Sequence, residues 1–223
     1  MLITWGIDPN MIGLGPVTIR WYGFFFAMAF LFGTLIMSKI MQLEDKPAKS
    51  VDRLLIYMLL AIVFGARLGE VLFYNPSFFL ENPFEVFKVW KGGLASHGAV
   101  IGILVSLYIY SRNTPGQSYL WILDRIVIIV ALGGSMIRIG NFFNSEILGS
   151  PTGSDFGVIF TRIDMIPRHP AQLYESFTYL TLFFMLVYLY KKADFTPKPG
   201  QLVGLFLTVA FTARFLIEFV KRN

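Results

Sequence analysis

The 223-residue chain has no cysteine. That excludes disulfide bonds, thiolate metal sites, a nucleophilic thiol of its own and lipidation of the chain at cysteine. Histidine is nearly as scarce. His97 and His169 are far apart and no His-Glu-x-x-His spacing exists, so no metal site is expected. No Gly-x-Ser-x-Gly elbow is present, and no motif asks for a cofactor. Residues 1–16 lack the basic start and small-residue cleavage site of a signal peptide, so the first hydrophobic run is expected to stay in the mature protein.

Apolar surface is what the chain has in excess. Hydrophobic residues make up 55% and aromatics 17%, with 23 Phe, and the mean hydropathy is +0.62. One soluble core of this size cannot hide that much, and the alternative solvent is lipid. A net charge of +5 and a pI near 9.4 suit an anionic membrane surface. The basic residues are scattered among apolar runs rather than clustered, which argues against nucleic acid as a partner.

A helix needs about 20 apolar residues to cross a bilayer. Residues 19–41, 54–73, 92–110, 120–139, 170–190 and 202–220 qualify. The expected fold is therefore an all-α membrane helical bundle of six spans, forming one domain over residues 1–223. Segments 42–52, 111–119 and 191–201 read as short polar turns. Segments 75–91 and 140–169 are longer and mix apolar residues with Pro, Gly and Asn, as loops lying on the membrane or over a cavity do. Phe78, Phe79, Phe84, Phe87 and Trp90 read as interfacial anchors. Lys39, Lys46, Lys49, Arg53, Arg112, Lys191, Lys192 and Lys198 lie on one side. Arg20, Lys88, Lys91, Arg162, Arg168, Lys221 and Arg222 lie on the other. The first set is the larger, which makes its side cytoplasmic.

Ionisable residues inside a membrane are costly and point to function. Tyr22, His97 and Glu175 stand near the starts of the first, third and fifth spans, with Tyr174 beside Glu175. Arg67, Arg138 and Arg214 stand near the ends of the second, fourth and sixth. Because spans alternate in direction, all of these fall in one half of the bilayer. Duller readings stand beside this one. Arg67 with Glu70 and Arg214 with Glu218 have the spacing of local ion pairs; Arg67 suits snorkelling to the headgroups; His97 suits helix packing. Asp124 and Arg125, at the opposite end of the fourth span, suit a packing or interfacial role. The pairs Gly92–Gly93 and Gly133–Gly134 suit close helix approach.

Several arginines with few carboxylates suit a phosphate, which the planar guanidinium grips with a fork of donors. One buried histidine suits a general base near neutral pH. Glu146 and Glu218 are placed to orient arginines. The residues thus describe a phospholipid-binding membrane enzyme. Two other classes remain: a transporter of anionic lipid or metabolite, and a non-catalytic scaffold that binds phospholipid.

The run Gly134-Ser-Met-Ile-Arg138-Ile-Gly140-Asn141-Phe142-Phe143-Asn144-Ser145-Glu146-Ile-Leu-Gly149 resembles the signature of the prolipoprotein diacylglyceryl transferases, roughly Gly-Arg-x-Gly-Asn-Phe-x-Asn-x-Glu-x-x-Gly. Here Ile137 replaces the glycine before the arginine. Four further segments are similar: Arg20-Trp21-Tyr22-Gly23, Gly65-Ala-Arg67-Leu-Gly69, Trp90-Lys-Gly92-Gly93-Leu-Ala-Ser-His97-Gly98 and Arg168-His169-Pro170-Ala-Gln172-Leu173-Tyr174-Glu175. Arg214-Phe-Leu-Ile-Glu218 resembles the family's Arg-x-x-x-Glu element. The likeness runs nearly end to end and in order, although family members usually continue into a seventh helix beyond the position of Asn223.

The resemblance implies a multi-pass enzyme of the bacterial inner membrane with its site toward the extracytoplasmic leaflet. Such an enzyme moves the diacylglyceryl group of phosphatidylglycerol onto the lipobox cysteine of a prolipoprotein signal peptide. On this expectation Arg138 and Arg214 bind the phosphate and His97 takes the thiol proton or polarises the headgroup. Tyr22, Asn141 and Glu146 position headgroup and arginines. Asn144, Gly149, Arg67, Tyr174, Glu175 and Glu218 complete the substrate site, and segment 140–169 covers the pocket.

Overall fold

The computed structural model describes residues 1–15, 17–89 and 92–221. Trp90, Lys91 and Arg222, read above as an anchor and as loop charges, lie outside the described residues. The helices are α1 (Trp21–Leu43), α2 (Lys49–Gly69), α3 (Pro76–Glu81), α4 (Ser96–Arg112), α5 (Tyr119–Asn144), α6 (Ala171–Lys192) and α7 (Gln201–Glu218). The strands are β1 (Leu2–Trp5), β2 (Asn10–Leu14), β3 (Val17–Arg20), β4 (Gly157–Phe160) and β5 (Pro167–Arg168). Contacts divide the chain into two compact units, one of Met1–Lys39 with Asp124–Asn223 and the other Ile40–Leu123.

Among the described residues, five helical segments are long and apolar enough to cross a membrane: Trp21–Leu43, Lys49–Tyr74, Tyr119–Asn144, Ala171–Lys192 and Gln201–Glu218. Their outward faces are apolar. Phe64, Phe177 and Phe211 are 60%, 73% and 66% exposed, which only lipid makes favourable. The expected span 92–110 is the exception. Gly92 and Gly93 take positive φ of 84° and 69°, so the chain turns there and α4 begins only at Ser96. Its 17 residues reach about 26 Å, against a hydrocarbon core of about 30 Å. The pair Gly92–Gly93 therefore lies outside a helix, with Gly93 set against the side chains of Arg67 and Glu70.

The all-α expectation is corrected by two small sheets. β1 pairs in parallel with β4, from Leu2 opposite Gly157 to Trp5 opposite Phe160. β5 pairs antiparallel with β4, and β2 and β3 form a hairpin. These strands occupy the residues ahead of α1 and the segment 140–169 expected to cover the pocket. The first sheet is fastened to the end of α5: Trp5 lies 4.4 Å from the Phe142 ring and 5.2 Å from that of Phe143. Phe142, Leu148, Val158 and Phe160 form the buried cluster beneath it. In the same unit α5 packs on α6 through Ser135 and Ser176, whose hydroxyls are 2.9 Å apart. Asp124, fully buried on α5, accepts hydrogen bonds from the amides of Gly200 (2.8 Å) and Val203 (2.9 Å). It thereby caps the positive end of α7, a packing role, where either packing or an interfacial place was expected. Gly134 faces the Tyr179 ring and Gly133 faces Ala29, so that pair does sit at helix contacts.

In the unit Ile40–Leu123, α2 and α4 cross at backbone contact. A Cβ on Gly98 would lie 2.2 Å from the carbonyl oxygen of Gly65, and one on Gly102 would lie 2.5 Å from that of Ala61. Gly65 and Gly69 on α2 meet Gly98 and Gly102 on α4, each pair at small-xxx-small spacing. Arg67, one residue inside this crossing, is buried. Its guanidinium donates to the carbonyls of Val86 (2.9 Å), Gly92 (2.8 Å), Gly93 (3.1 Å) and Glu85, and stacks 4.9 Å from the Phe79 ring. The snorkelling reading of Arg67 is thereby corrected: its guanidinium is turned inward and clamps the segment that follows α3. Glu70, expected as its ion-pair partner, accepts from Asn75 Nδ2 at 2.7 Å.

Candidate active site

Arg138, Asn141 and Asn144 recur every three residues along the last turns of α5, which places them on one helical face. Opposite that face, Pro170 breaks the chain and α6 begins, so Glu175 enters on its second turn. Glu175 is 3% exposed, and its Oε2 lies 2.7 Å from Arg138 Nε. The Nε–H is not aimed along that line, so the contact is an ion pair rather than a linear hydrogen bond. Arg138 Nη1 donates to Asn141 Oδ1 at 3.4 Å. Asn141 in turn gives Nδ2 to Glu146 Oε2 at 3.3 Å, and Asn144 Nδ2 reaches Glu146 Oε1 at 3.0 Å. A continuous polar chain thus runs Glu175–Arg138–Asn141–Glu146–Asn144. Among the described residues nothing accepts from Arg138 Nη2, and the side chain is 16% exposed.

Two features hold Glu146 in place. Gln172, buried on α6, donates to its backbone carbonyl. The residues on either side, Ser145 and Ile147, have φ of 56° and 55°. Left-handed backbone is unusual for serine and a genuine outlier for a β-branched residue, and such strain collects at functional sites. Tyr22 reaches this cluster because α1 and α5 meet at Gly140, where a Cβ would lie 3.2 Å from Tyr22 Cα and from its ring. It stands within electrostatic reach of both Glu146 and Arg138.

The remaining expected residues take other places. Gly149 lies where three backbone segments meet: a Cβ there would be 2.3 Å from the His169 carbonyl oxygen and 2.8 Å from that of Val220. Its requirement is room for backbone. Tyr174 shares a hydrogen bond with His169, OH to Nδ1 at 3.2 Å, giving the second histidine a partner. Arg214 is exposed on α7 and has no ion pair among the described residues. Glu218, also exposed, lies 3.6 Å from Lys221 rather than paired with Arg214. His97 belongs to the other unit, exposed in the first turn of α4. Among the described residues no group of three or more His, Asp or Glu could hold a metal ion.

Two residues counted as loop charges prove to be internal. Arg168 is buried and forks onto the Asp164 carboxylate, with Nε 3.1 Å from Oδ2. Lys221, with a side chain 8% exposed, puts Nζ 2.8 Å from Glu175 Oε1. Lys221 stands three residues beyond the end of α7, in a β-bridge with Gly149, where no helical spacing marks it in the sequence.

The model of the prolipoprotein diacylglyceryl transferase family matches residues 9–223. Proteins named phosphatidylglycerol–prolipoprotein diacylglyceryl transferase share sequence over nearly the whole chain. The one from Chloroherpeton thalassium is 51% identical over 98% of this chain and 82% of its own length. That from Tolumonas auensis is 44% identical over 99% and 85%, and that from Porphyromonas gingivalis 40% identical over 98% and 81%. The chain belongs to the prolipoprotein diacylglyceryl transferase family.

Proposed function

We propose that this membrane enzyme transfers the diacylglyceryl group of phosphatidylglycerol to the thiol of a prolipoprotein's lipobox cysteine, with Arg138 as the phosphate ligand. The observation that carries the reading is the state of Arg138. Glu175 and Asn141 hold Nε and Nη1, while Nη2 has no acceptor among the described residues. A guanidinium fixed on one edge and open on the other fits a phosphate oxygen.

The reaction forms an S–C bond to the glycerol carbon and breaks its C–O bond to phosphorus-bound oxygen, whose electron pair leaves with glycerol phosphate. The phosphodiester carries one negative charge, and the released monoester gains a second with the electron pair of the broken C–O bond, matching the charge the thiolate brings. A fixed cation beside that oxygen therefore favours the transition state over the ground state. The sulfur attacks as thiolate, and a free thiol near pKa 8.5 gains from a base; His97 is the candidate to take that proton. Arg214, Tyr22 and Glu146 are the candidates to complete the headgroup site.

Family membership and the five apolar helices support placement in the bacterial inner membrane. In this reading α4 is a sixth, shorter span, and the end carrying Arg138, Glu175 and the small sheets faces the extracytoplasmic leaflet.

The test uses the purified chain in detergent with phosphatidylglycerol labelled in its headgroup glycerol and a lipobox peptide. Equimolar release of glycerol phosphate and gain of a diacylglyceryl mass at the peptide cysteine are expected. Lipid binding with neither product would leave a scaffold, and lipid movement across sealed vesicles without products would leave a transporter.

A further inference from the structure

Glu175 is a carboxylate shared by two cations. Oε2 faces Arg138 at 2.7 Å and Oε1 faces Lys221 at 2.8 Å, with side-chain exposures of 4%, 16% and 8% for Glu175, Arg138 and Lys221. The trio sums to one positive charge. The other carboxylates nearby do little to cancel it. Glu218 lies 3.6 Å from Lys221 but is 55% exposed, where solvent screens it. Glu146 is exposed and meets Arg138 only through the Asn141 amide. An excess charge held away from water is costly until a counter-charge arrives.

We infer that Lys221 is a positioning residue for the phosphate site: by taking half of Glu175, it lets that carboxylate hold Arg138 in place without neutralising it. The inference rests on the reading of Arg138 as phosphate ligand. With Lys221 absent, Arg138 and Glu175 form a neutral pair, and the site loses the charge an anionic headgroup would complete. A purely mechanical role for the ammonium is redundant, because backbone already fastens this segment. Gly149 and Lys221 form an antiparallel bridge, and the Ser150 amide donates to the Val220 carbonyl at 2.9 Å.

Charge arithmetic supplies the test. In the full chain in detergent, kcat and KM for phosphatidylglycerol are measured with a lipobox peptide. The variants are Lys221→Met, Glu175→Gln, the double variant Lys221→Met/Glu175→Gln, and Arg138→Ala, each checked for folding by its melting temperature. Lys221→Met leaves no net charge and is expected to raise KM about tenfold, the size of one charge-assisted contact. The double variant restores one positive charge and is expected to return KM to within about threefold of wild type. A double variant as impaired in KM as Lys221→Met, or an unchanged KM in Lys221→Met, overturns the inference. If Lys221→Met does not fold, Lys221→Gln decides, since its amide keeps a donor toward Glu175 without the charge. A KM raised about tenfold is expected, and an unchanged KM overturns the inference. Arg138→Ala reports on the underlying reading, since an unchanged KM there removes Arg138 from the phosphate site whatever Lys221 does.

Discussion

Arg138 on α5 and the buried Glu175 on α6 meet as an ion pair, Nε to Oε2 at 2.7 Å. The pair joins the two helices and sets which edge of the guanidinium stays open. A lysine at position 138 has a single ammonium on a flexible stem, which cannot hold Glu175 and Asn141 and also present a planar fork. Arg138→Lys is therefore expected to fold and to lose about 10²–10³ in kcat, read as the rate of diacylglyceryl transfer to a lipobox peptide. Full rate in Arg138→Lys would show that charge alone suffices.

The backbone on either side of Glu146 is expected to trade stability for activity. Ile147 has φ of 55° and an exposed side chain, so glycine removes strain and loses little burial. Ile147→Gly is expected to gain about 1 kcal/mol in stability while lowering kcat, because the carboxylate is no longer held toward Asn141 and Asn144. Denaturation and turnover measured on the same preparation check both halves of that expectation.

The crossing of α2 and α4 leaves no room for a methyl group. Gly98→Ala places Cβ 2.2 Å from the Gly65 carbonyl oxygen and is expected to prevent stable packing of the unit Ile40–Leu123. Gly204→Ala, on α7 with nothing within 4 Å, serves as the control. It is expected to be neutral or to stabilise by about 0.5–1 kcal/mol through helix propensity. Limited proteolysis and melting in detergent separate the two outcomes.

Asp124 is expected to matter for stability and not for chemistry. Asp124→Ala leaves the amides of Gly200 and Val203 without their acceptor inside the protein. The expected loss is about 1–3 kcal/mol, with kcat per folded molecule unchanged. A fall in kcat at full folding would assign Asp124 a role beyond capping α7.

The periodic features of this chain were open to reading from the residues. Arg138 and Glu175 were placed near one membrane depth because helix length and direction fix depth, and the structure brings the two together. Asp124 suits a packing or interfacial role because it stands at the other end of its helix, and the capping of α7 is of the packing kind. Long-range pairings were hidden. β1 meets β4 only after most of the chain has been laid down, and both strands are too short to show a period. Arg67 carries no mark of its backbone carbonyl partners, so its burial looked like a cost awaiting a ligand. The glycines that allow α2 to touch α4 stood at small-xxx-small spacing in plain view at 65, 69, 98 and 102. The adjacent pair Gly92–Gly93 carries no such spacing, and adjacent glycines look alike in sequence whether or not they lie in a helix.

The central claim is that an Arg138-centred site carries out diacylglyceryl transfer. It is tested most directly by the mass of a lipobox peptide incubated with phosphatidylglycerol and either the wild-type chain or folded Arg138→Ala. The account predicts a diacylglyceryl mass on the cysteine with the wild type and none with the variant over the same time. Equal modification by both, or by neither although both fold and bind lipid, would contradict it.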